Sequence, residues 1–422
     1  MDILDHNISW GEQKAKSGFR MIPSYTRSFK ALLGLLLVLA VLSALPAFGG
    51  TVTVTNTNDS GAGSLRAAIA SASSGDTINF SVTGTITLTT GVLEITNSLT
   101  ITGPGASTLA ISGGGVSGVF IVDSGATVTI SGLTIENGSA SGILNNGTLT
   151  VTNSTLSGNS AGGGSGGGGI FNLGILTVTN STISGNSATG GVGGGIYSLG
   201  TLTVTNSAIS GNSASSLPFK NGGGGGIYND GKLTVTNSTL SGNNSPGLSN
   251  GLGGGGIYNN GTLTVTNSTL SGNYVTGVLG GGGGIYNNVV ALTVKNSIVA
   301  NNGGGNCAIS GSALTSQGHN LSDDTSCSGS FTATGDVNNT PVGLDSGGLK
   351  DNGGPTQTIA LLPTSPAVDA IPTSPTNYCT ATDGVTPIAT DQRGTSRPQG
   401  PVCDIGAFEY QPVKRRSQLT SD

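Results

Sequence analysis

Residues 257–273 have the sequence IYNNGTLTVTNSTLSGN, and this stretch recurs almost letter for letter through the middle of the chain. Every copy has 17 residues, and the copies begin at Ile143, Ile170, Ile196, Ile227, Ile257 and Ile285. The joints between them vary from 9 to 14 residues and are rich in Gly, Ser, Ala and Asn. A unit of constant length between joints of changing length indicates that the units pack against one another. A flexible low-complexity tract would not hold this length constant.

The repeated unit predicts short β-strands. In the copy quoted above, Leu263 and Val265 alternate with threonines, a period of two that is typical of strands. Ile257 and Leu270 add two further apolar positions beyond Asn and Gly corners. Three short strands per unit predict one coil of a right-handed parallel β-helix, an all-β solenoid of roughly ten coils spaced about 4.8 Å apart. We expect it to extend from about Thr51 to Asn301.

Stacked coils place equivalent residues in ladders. The asparagine after the Thr-x-Thr segment recurs in every unit, and Asn tolerates the left-handed backbone that a sharp corner needs. We therefore expect a corner ladder whose side-chain amides bond to one another. Its members are Asn153, Asn180, Asn206, Asn237, Asn267 and Asn296.

The composition fits a solenoid. The chain has 422 residues with 75 glycines, 8% charged and 4% aromatic residues, and a formal net charge of −5. Aromatic residues are too few for an ordinary globular core, whereas each solenoid coil buries only a thin aliphatic row. No basic stripe is present in the sequence, so we expect no nucleic-acid partner.

Residues 1–49 are predicted to form a signal peptide or an N-terminal anchor. Basic residues precede the apolar stretch ALLGLLLVLAVLSALPA at 31–47, which is typical of a secretory signal. An uncleaved single membrane span is the alternative, since this length could just cross a bilayer. The start is either Met1 or Met21. Both interpretations place the rest of the chain at the cell surface or outside the cell.

Residues 50–137 are predicted to form an N-terminal cap and the first coils, before the repeats at 138–301. Ser64 is suited to start a helix over 64–73, with Leu65, Ala68 and Ile69 on one face. Such a helix would cover the open end of the solenoid. Arg66 is its only charge, and we expect it to form a capping ion pair or hydrogen bond.

Several motifs carry a family resemblance over most of residues 51–410. SLRAAI, GDTINF and the GGGI and SGN repeats resemble bacterial secreted right-handed parallel β-helix proteins, and the repeats are similar to those of polymorphic outer membrane proteins. Residues 302–410 resemble the choice-of-anchor Q domain through DNGGPTQT, SPAVDA, TDQRG and CDIGAFEY. The resemblance implies an exported, adhesin-like surface protein. The polar tail, residues 411–422, shows no sorting signal for an anchor.

The four cysteines lie beyond the repeats and are predicted to form disulfides, since an even number in an exported chain is typical of them. They are Cys307, Cys327, Cys379 and Cys403. Three pairings are open, and proximity in sequence favours Cys307–Cys327 and Cys379–Cys403. Metal binding is the minor alternative, because the spacing lacks a Cys-x-x-Cys site and His319 is isolated.

The acidic residues of the C-terminal region lie in Gly- and Pro-rich turns. Asp351, Asp369, Asp391 and Asp404, with Arg393, are expected to cap turns and form ion pairs. The alternative is a calcium or ligand site built from clustered carboxylates. No other cofactor is expected.

Parallel β-helices include polysaccharide lyases and hydrolases, whose chemistry needs carboxylates placed together. Between residues 138 and 300 the only charged residues are Lys220, Asp230, Lys232 and Lys295. One acid cannot build such a site, so the sequence predicts that the chain is not an enzyme. It predicts no lyase or hydrolase activity in the repeats and confines any residual catalytic site to the C-terminal region.

Two functions then remain: an exported structural or adhesin-like protein that contacts surface proteins, and a protein that binds cell-surface glycans. The second rests on an aromatic residue beside the first isoleucine of five units. Because successive side chains of a strand point to opposite faces, these rings should point outward and form a stripe that could stack on sugar faces. The alternative is that the rings stack on one another and shield the glycine-rich corner. The five residues are Phe171, Tyr197, Tyr228, Tyr258 and Tyr286.

Overall fold

The computed structural model describes residues 49–163, 166–215, 223–246, 253–276, 281–288, 291–311 and 314–412. The predicted signal or anchor at 1–48 and nearly all of the tail lie outside these residues. Within the described ranges, no helix is both long and apolar enough to span a membrane.

The described residues form a parallel β-helix, which confirms the predicted fold. Its strands make four parallel sheets, which we call sheets 1 to 4, with eleven, nine, nine and five strands. Neighbouring strands within a sheet come from successive coils. The residue pairing places Leu233 between Leu202 and Leu263, as the 17-residue unit predicts. Within each sheet the strands follow one another in chain order from the N-terminal end.

Sheet 1 comprises Thr51–Val54, Thr77–Phe80, Thr100–Thr102, Thr127–Ser131, Thr148–Thr152, Ile175–Thr179, Thr201–Thr205, Lys232–Thr236, Thr262–Thr266, Leu292–Lys295 and Leu314–Ser316. Sheet 2 comprises Leu93–Ile95, Phe120–Val122, Ile143–Asn145, Ile170–Asn172, Ile196–Ser198, Ile227–Asn229, Ile257–Asn259, Ile285–Asn287 and Cys307–Ile309. Sheet 3 comprises Gly84–Thr87, Leu109–Ser112, Thr134–Glu136, Thr155–Ser157, Thr182–Ser184, Ala208–Ser210, Thr239–Ser241, Thr269–Ser271 and Ile298–Ala300. Sheet 4 is built from the joints and comprises Ser160–Ala161, Ser187–Thr189, Ser213–Ser215, Asn244–Pro246 and Tyr274–Thr276.

The corner asparagines have the predicted backbone, but most of their side chains do not form the predicted ladder. Their φ angles are 47–52°, in the left-handed region. The amide ladder is instead formed by the asparagine that ends each unit, with Nδ2 donating to the next Oδ1 at 2.8–3.1 Å. The first five of these side chains are buried and the sixth is half-buried, whereas Asn153 at the first corner is exposed. At the corners only Asn296 bonds to its neighbour, Asn267, at 3.2 Å. The ladder residues are Asn159, Asn186, Asn212, Asn243 and Asn273, followed by Asn302, which comes one residue after the end of the last unit.

A single helix, Leu65–Ser71, lies near the N-terminal end of the described chain, close to the predicted bounds. Ser64 is its N-cap, and its hydroxyl accepts a hydrogen bond from the Ala67 amide at 3.2 Å. Leu65 and Ile69 are buried against the first coils.

The C-terminal region packs along the side of the coils. Thr356 donates to the carbonyl of Asn206 at 3.0 Å, and Thr239 donates to Gln392 Oε1 at 2.6 Å. Further along the axis, the Ala407 amide donates to Thr269 Oγ1 at 3.0 Å. The region therefore covers the outer face of the last coils of sheet 3. The predicted disulfides Cys307–Cys327 and Cys379–Cys403 are both confirmed.

Candidate functional site

The five predicted aromatic residues do form one column on the outer side of sheet 2. The pairing of adjacent strands places Phe171, Tyr197, Tyr228, Tyr258 and Tyr286 next to one another in that order. Ring centroids of neighbours are 4.7–5.3 Å apart, and three of the four ring pairs are stacked. The exception is the Tyr197–Tyr228 pair, which is T-shaped.

The rings are less accessible than an outward stripe requires. Tyr258 is fully buried and Tyr228 and Tyr286 are nearly so, whereas Phe171 and Tyr197 are half-buried. The stacked rings also use their faces on one another, and ring faces are what a sugar would need. The expectation of a fully exposed stripe is therefore wrong for the last three rings. Binding of a glycan by this column stays a prediction, and the accessible rings are Phe171 and Tyr197.

The hydroxyl groups of the column differ in their partners. Tyr197 donates to Asp230 at 3.2 Å, and burial together with the charge of Asp230 raises the pKa of Tyr197 to about 12. The hydroxyl thus stays protonated and able to donate. The hydroxyls of Tyr258 and Tyr286 are buried without a hydrogen-bond partner. Asp230 also accepts from Asn260 at 2.9 Å, so the lone acid of the repeats is held by neutral donors.

The same outward column continues toward the N-terminus, where the side chains are more accessible. Strand pairing places Leu144 beside Phe171, then Ile121, then Glu94. Leu144 and Ile121 are half-buried, and Glu94 is exposed. These three residues were not predicted to belong to the column, because residues 82–137 depart from the 17-residue unit. The signal that could have found them is the alternation in Leu93-Glu94-Ile95 and Phe120-Ile121-Val122, which keeps the inward, outward, inward order of the repeats.

Two adjoining cavities lie along this part of sheet 2 and share Val92. One has a volume of about 270 Å³ and is lined mainly by apolar side chains, including Phe120, Ile121 and Leu144. The other has a volume of about 250 Å³ and lies beside the helix, lined by Arg66, Glu94 and Asn97 among others. We call these two cavities together the sheet-2 groove. An apolar wall beside a few polar groups is the usual make-up of a small-molecule site.

Arg66 is held firmly at the polar end of the sheet-2 groove. Its Nη2 atom lies 2.7 Å from Asp59 Oδ1 and donates to the carbonyl of Gly91 at 2.6 Å. Its Nη1 donates to the carbonyl of Val92 at 2.9 Å, and its Nε donates to Asp59 at 3.2 Å. The predicted ion pair of Arg66 is therefore confirmed. It joins the helix to the strand that forms the floor of the groove.

Two of the four predicted C-terminal acids cap turns: Asp351 accepts the amide of Gly353 at 2.9 Å, and Asp391 caps a turn and pairs with Arg393. Asp391 Oδ1 accepts the amides of Arg393 and Thr395 at 2.8 and 3.0 Å, and its Oδ2 lies 2.6 Å from Arg393 Nη2. The guanidinium of Arg393 stands 3.6 Å from the ring centre of Phe408. In the part of the chain that the structure describes, no group of three or more His, Cys, Asp or Glu side chains could hold a metal ion. The calcium alternative stays a prediction.

A buried ionic cluster lies beneath these turns. Arg397 and Glu409 are 2.9 Å apart, and both side chains are inaccessible to solvent. Asp404 is buried beside them, and its carboxylate accepts the amides of Asp369 and Tyr410. Burial, followed by the charge of Glu409, raises the pKa of Asp404 to about 7. The folded protein therefore holds a proton on Asp404 that the unfolded chain releases near pH 4.

We expect Asp404 to make the protein less stable as pH rises. Because the pKa of Asp404 is higher in the folded state, its contribution to stability is complete below about pH 4 and is lost as pH rises to about 7. Asp404→Asn keeps an acceptor oxygen and does not titrate. Urea-unfolding midpoints measured between these pH values should fall in the native protein more steeply than in Asp404→Asn. Parallel pH profiles of the two proteins would contradict this assignment.

Some solved structures are similar to most of this chain. No family model matches the chain, and no curated protein matches it. Among solved structures, pectate lyase Pel9A is similar with a TM-score of 0.43 and 14% identity, over 88% of this chain and 98% of that one. A variant of the PL6-family alginate lyase AlyGC is similar with a TM-score of 0.29 and 11% identity, over 86% of this chain and 60% of that one. The choice-of-anchor Q and polymorphic outer membrane protein resemblances are not confirmed.

These comparisons correct one prediction. The sequence predicted that the chain is not an enzyme, and this prediction is wrong, because the solved structures that the chain is similar to are polysaccharide lyases. That prediction rested on the lack of carboxylates in the repeats, and it took no account of the first coils. The likeness itself, at 11–14% identity, concerns the fold and identifies neither a substrate nor a reaction.

Proposed function

We propose that this protein is exported and binds polysaccharide in the sheet-2 groove. The observation that carries the proposal is the pair of adjoining cavities, one apolar and one polar, beside the accessible end of the aromatic column. A pyranose ring has apolar C–H faces and a rim of hydroxyl groups. It therefore needs an apolar wall and polar groups at its edge, and the groove offers both within a few coils.

The position of the groove favours an extended ligand. Glu94, Ile121, Leu144 and Phe171 belong to four successive coils, so a chain lying along the axis would pass them at intervals of about 4.8 Å. This repeat is close to the length of one sugar unit in an extended polymer. A polymer could thus present one unit to each coil, whereas a single small sugar would use only one part of the groove.

Export is supported by the two disulfides, which are typical of proteins in an oxidising compartment. The apolar stretch at 31–47 fits the same interpretation. A protein that is outside the cytoplasm and binds polysaccharide would act as an adhesin or as a polysaccharide-processing protein. The adhesin-like role that the sequence suggests is the second candidate, and the location of the groove on an open lateral face favours neither role over the other.

The experiment compares glycan binding of the disulfide-intact chain and two double variants. Ile121→Ala with Leu144→Ala should weaken binding at least about tenfold, because it removes the apolar wall that packs on the sugar. Leu173→Ala with Ile175→Ala is the matched control, since these side chains are 45% and 51% exposed outside the groove. We expect that control to bind as the native chain does.

Equal weakening in both double variants, or no binding of any polysaccharide by the native chain, would refute the proposal. Every polysaccharide that binds should also be incubated with the protein and analysed for new unsaturated or reducing ends. This second measurement decides between an adhesin and a polysaccharide-degrading enzyme.

A further inference from the structure

The first half of the β-helix has an unusual distribution of charge. From residue 67 to residue 219 the sequence contains no Lys, Arg or His. The same segment contains four acids, Asp76, Glu94, Asp123 and Glu136, which give it a net charge of −4. All the coils that line the sheet-2 groove belong to this segment. A ligand in the groove therefore meets a surface whose free charges are negative.

Arg66 is the only cation among the residues that line the groove, and it is already neutralised. Its Nε and Nη2 donate to Asp59, and four of its five N–H groups are used, the other two on the backbone carbonyls of Gly91 and Val92. Asp59 also accepts from the amide of Thr90 at 2.7 Å and from that residue's hydroxyl at 2.6 Å. Although burial opposes it, the hydrogen bonds from Thr90 and Arg66 lower the pKa of Asp59 well below its usual range. The Asp59 carboxylate thus balances the charge of Arg66.

Glu94 is the charge that a ligand would meet. It is the outward residue of the strand Leu93–Ile95, it is exposed, and it lines the polar cavity. In the described part of the chain, no basic group forms an ion pair with it. A ligand carboxylate placed here would face a like charge without a counter-ion, which is unfavourable in a cavity partly shielded from water. Sugar hydroxyls, by contrast, would donate directly to the Glu94 carboxylate.

We infer that the ligand of the sheet-2 groove is a neutral polysaccharide, such as a glucan or mannan, rather than a polyuronate. This inference rests on the proposed function, and it concerns the class of sugar rather than the existence of the site. Glu94 accepts hydrogen bonds from ring hydroxyls, while Ile121 and Leu144 contact an apolar sugar face. The negative charge of the groove disfavours acidic polymers such as pectate and alginate.

The test is a binding titration with soluble oligosaccharides of three kinds: neutral, uronate and amino-sugar. Each is measured at low and high salt, and with either EDTA or calcium present. We expect the neutral series to bind with an affinity that does not depend on salt, because no net charge is neutralised on binding. Glu94→Gln should weaken neutral binding about five- to tenfold, since a charge-assisted hydrogen bond is roughly twice as strong as a neutral one.

Glu136→Gln is the matched control, because it removes the same charge from sheet 3, away from the groove. We expect it to leave neutral binding unchanged. Tighter binding of uronates than of neutral sugars, in EDTA or with calcium, would overturn the inference, and so would binding confined to amino sugars. If uronate binding is lost in the Ile121→Ala and Leu144→Ala variant, the site is correct and only the sugar class is wrong. If binding is unchanged in this double variant, the proposed site itself is refuted.

Discussion

Replacement of Asn243 by alanine is expected to lower the free energy of unfolding by more than about 3 kcal/mol, because buried groups lose their partners at about 1–3 kcal/mol each. The side chain lies in the middle of the buried amide ladder. Its Oδ1 accepts the backbone amide of Asn212 at 3.1 Å and the Nδ2 of the same residue at 2.9 Å. Its Nδ2 donates to the carbonyl of Ile209 at 2.9 Å and to Asn273 Oδ1 at 2.8 Å.

The measurement is urea unfolding followed by circular dichroism, with Asn153→Gly as the control. Asn153 is exposed and has a φ of 48°, a conformation that glycine adopts without strain. Its side chain has no part in the buried ladder, so we expect a change within about 0.5 kcal/mol. A small effect of Asn243→Ala, comparable to that of the control, would show that the ladder does not stabilise the solenoid.

The contrast between these two asparagines shows what the sequence could and could not predict. Periodicity identified both positions, because both recur once per unit. It also predicted the left-handed corners and the buried rows of leucine and valine, since identical coils must repeat the same environment. It could not predict which asparagine turns its side chain inward. The orientation of each side chain depends on the direction of the backbone at that corner, and the repeat length contains no information on this direction.

The sheet-2 groove was hidden for a related reason. Its residues belong to coils that have lost the sequence of the unit but kept its backbone, as the pairing of Leu144 with Ile121 shows. Only the repeats show in the sequence which residues of successive coils lie next to one another. The column was therefore predicted to begin at Phe171. The burial of Tyr228, Tyr258 and Tyr286 was likewise not predictable, because period two gives the side of the sheet on which a residue lies and not what covers it.

The packing of the C-terminal region had no signal in the sequence at all. Thr239 and Gln392 are 153 positions apart, and neither belongs to a motif that would pair them. Asp351 and Asp391 were correctly predicted to cap turns, because Asp in a Gly- and Pro-rich turn bonds to nearby amides. The burial of Asp391 and Asp404, and the ion pair between Arg397 and Glu409, depend on tertiary packing between distant segments.

Replacement of Glu409 by glutamine is expected to detach the C-terminal region from the coils. Glu409 Oε2 accepts from Arg397 Nη1 at 2.9 Å, and Oε1 accepts the amide of Gln399 at 2.9 Å. The substitution leaves Arg397 charged and buried without its counter-ion. Breaking a buried pair in this way typically costs about 3–5 kcal/mol. The amides of Gly406 and Ala407 donate hydrogen bonds to Asn296 and Thr269 of the coils. Loss of the ion pair therefore weakens the contacts that hold the C-terminal region on the coils.

Hydrogen exchange read by mass spectrometry tests this expectation with spatial detail. In Glu409→Gln, amides of residues 390–410 and of the last strands of sheet 3 should lose protection, while the first coils keep theirs. Asp345→Asn is the control, because it removes an ion pair to Lys350 whose side chains are 28% and 45% exposed, and we expect no measurable change in exchange. Uniform loss of protection along the whole chain would show that the ion pair stabilises the fold globally. Unchanged protection in Glu409→Gln would show that the pair does not hold the C-terminal region in place.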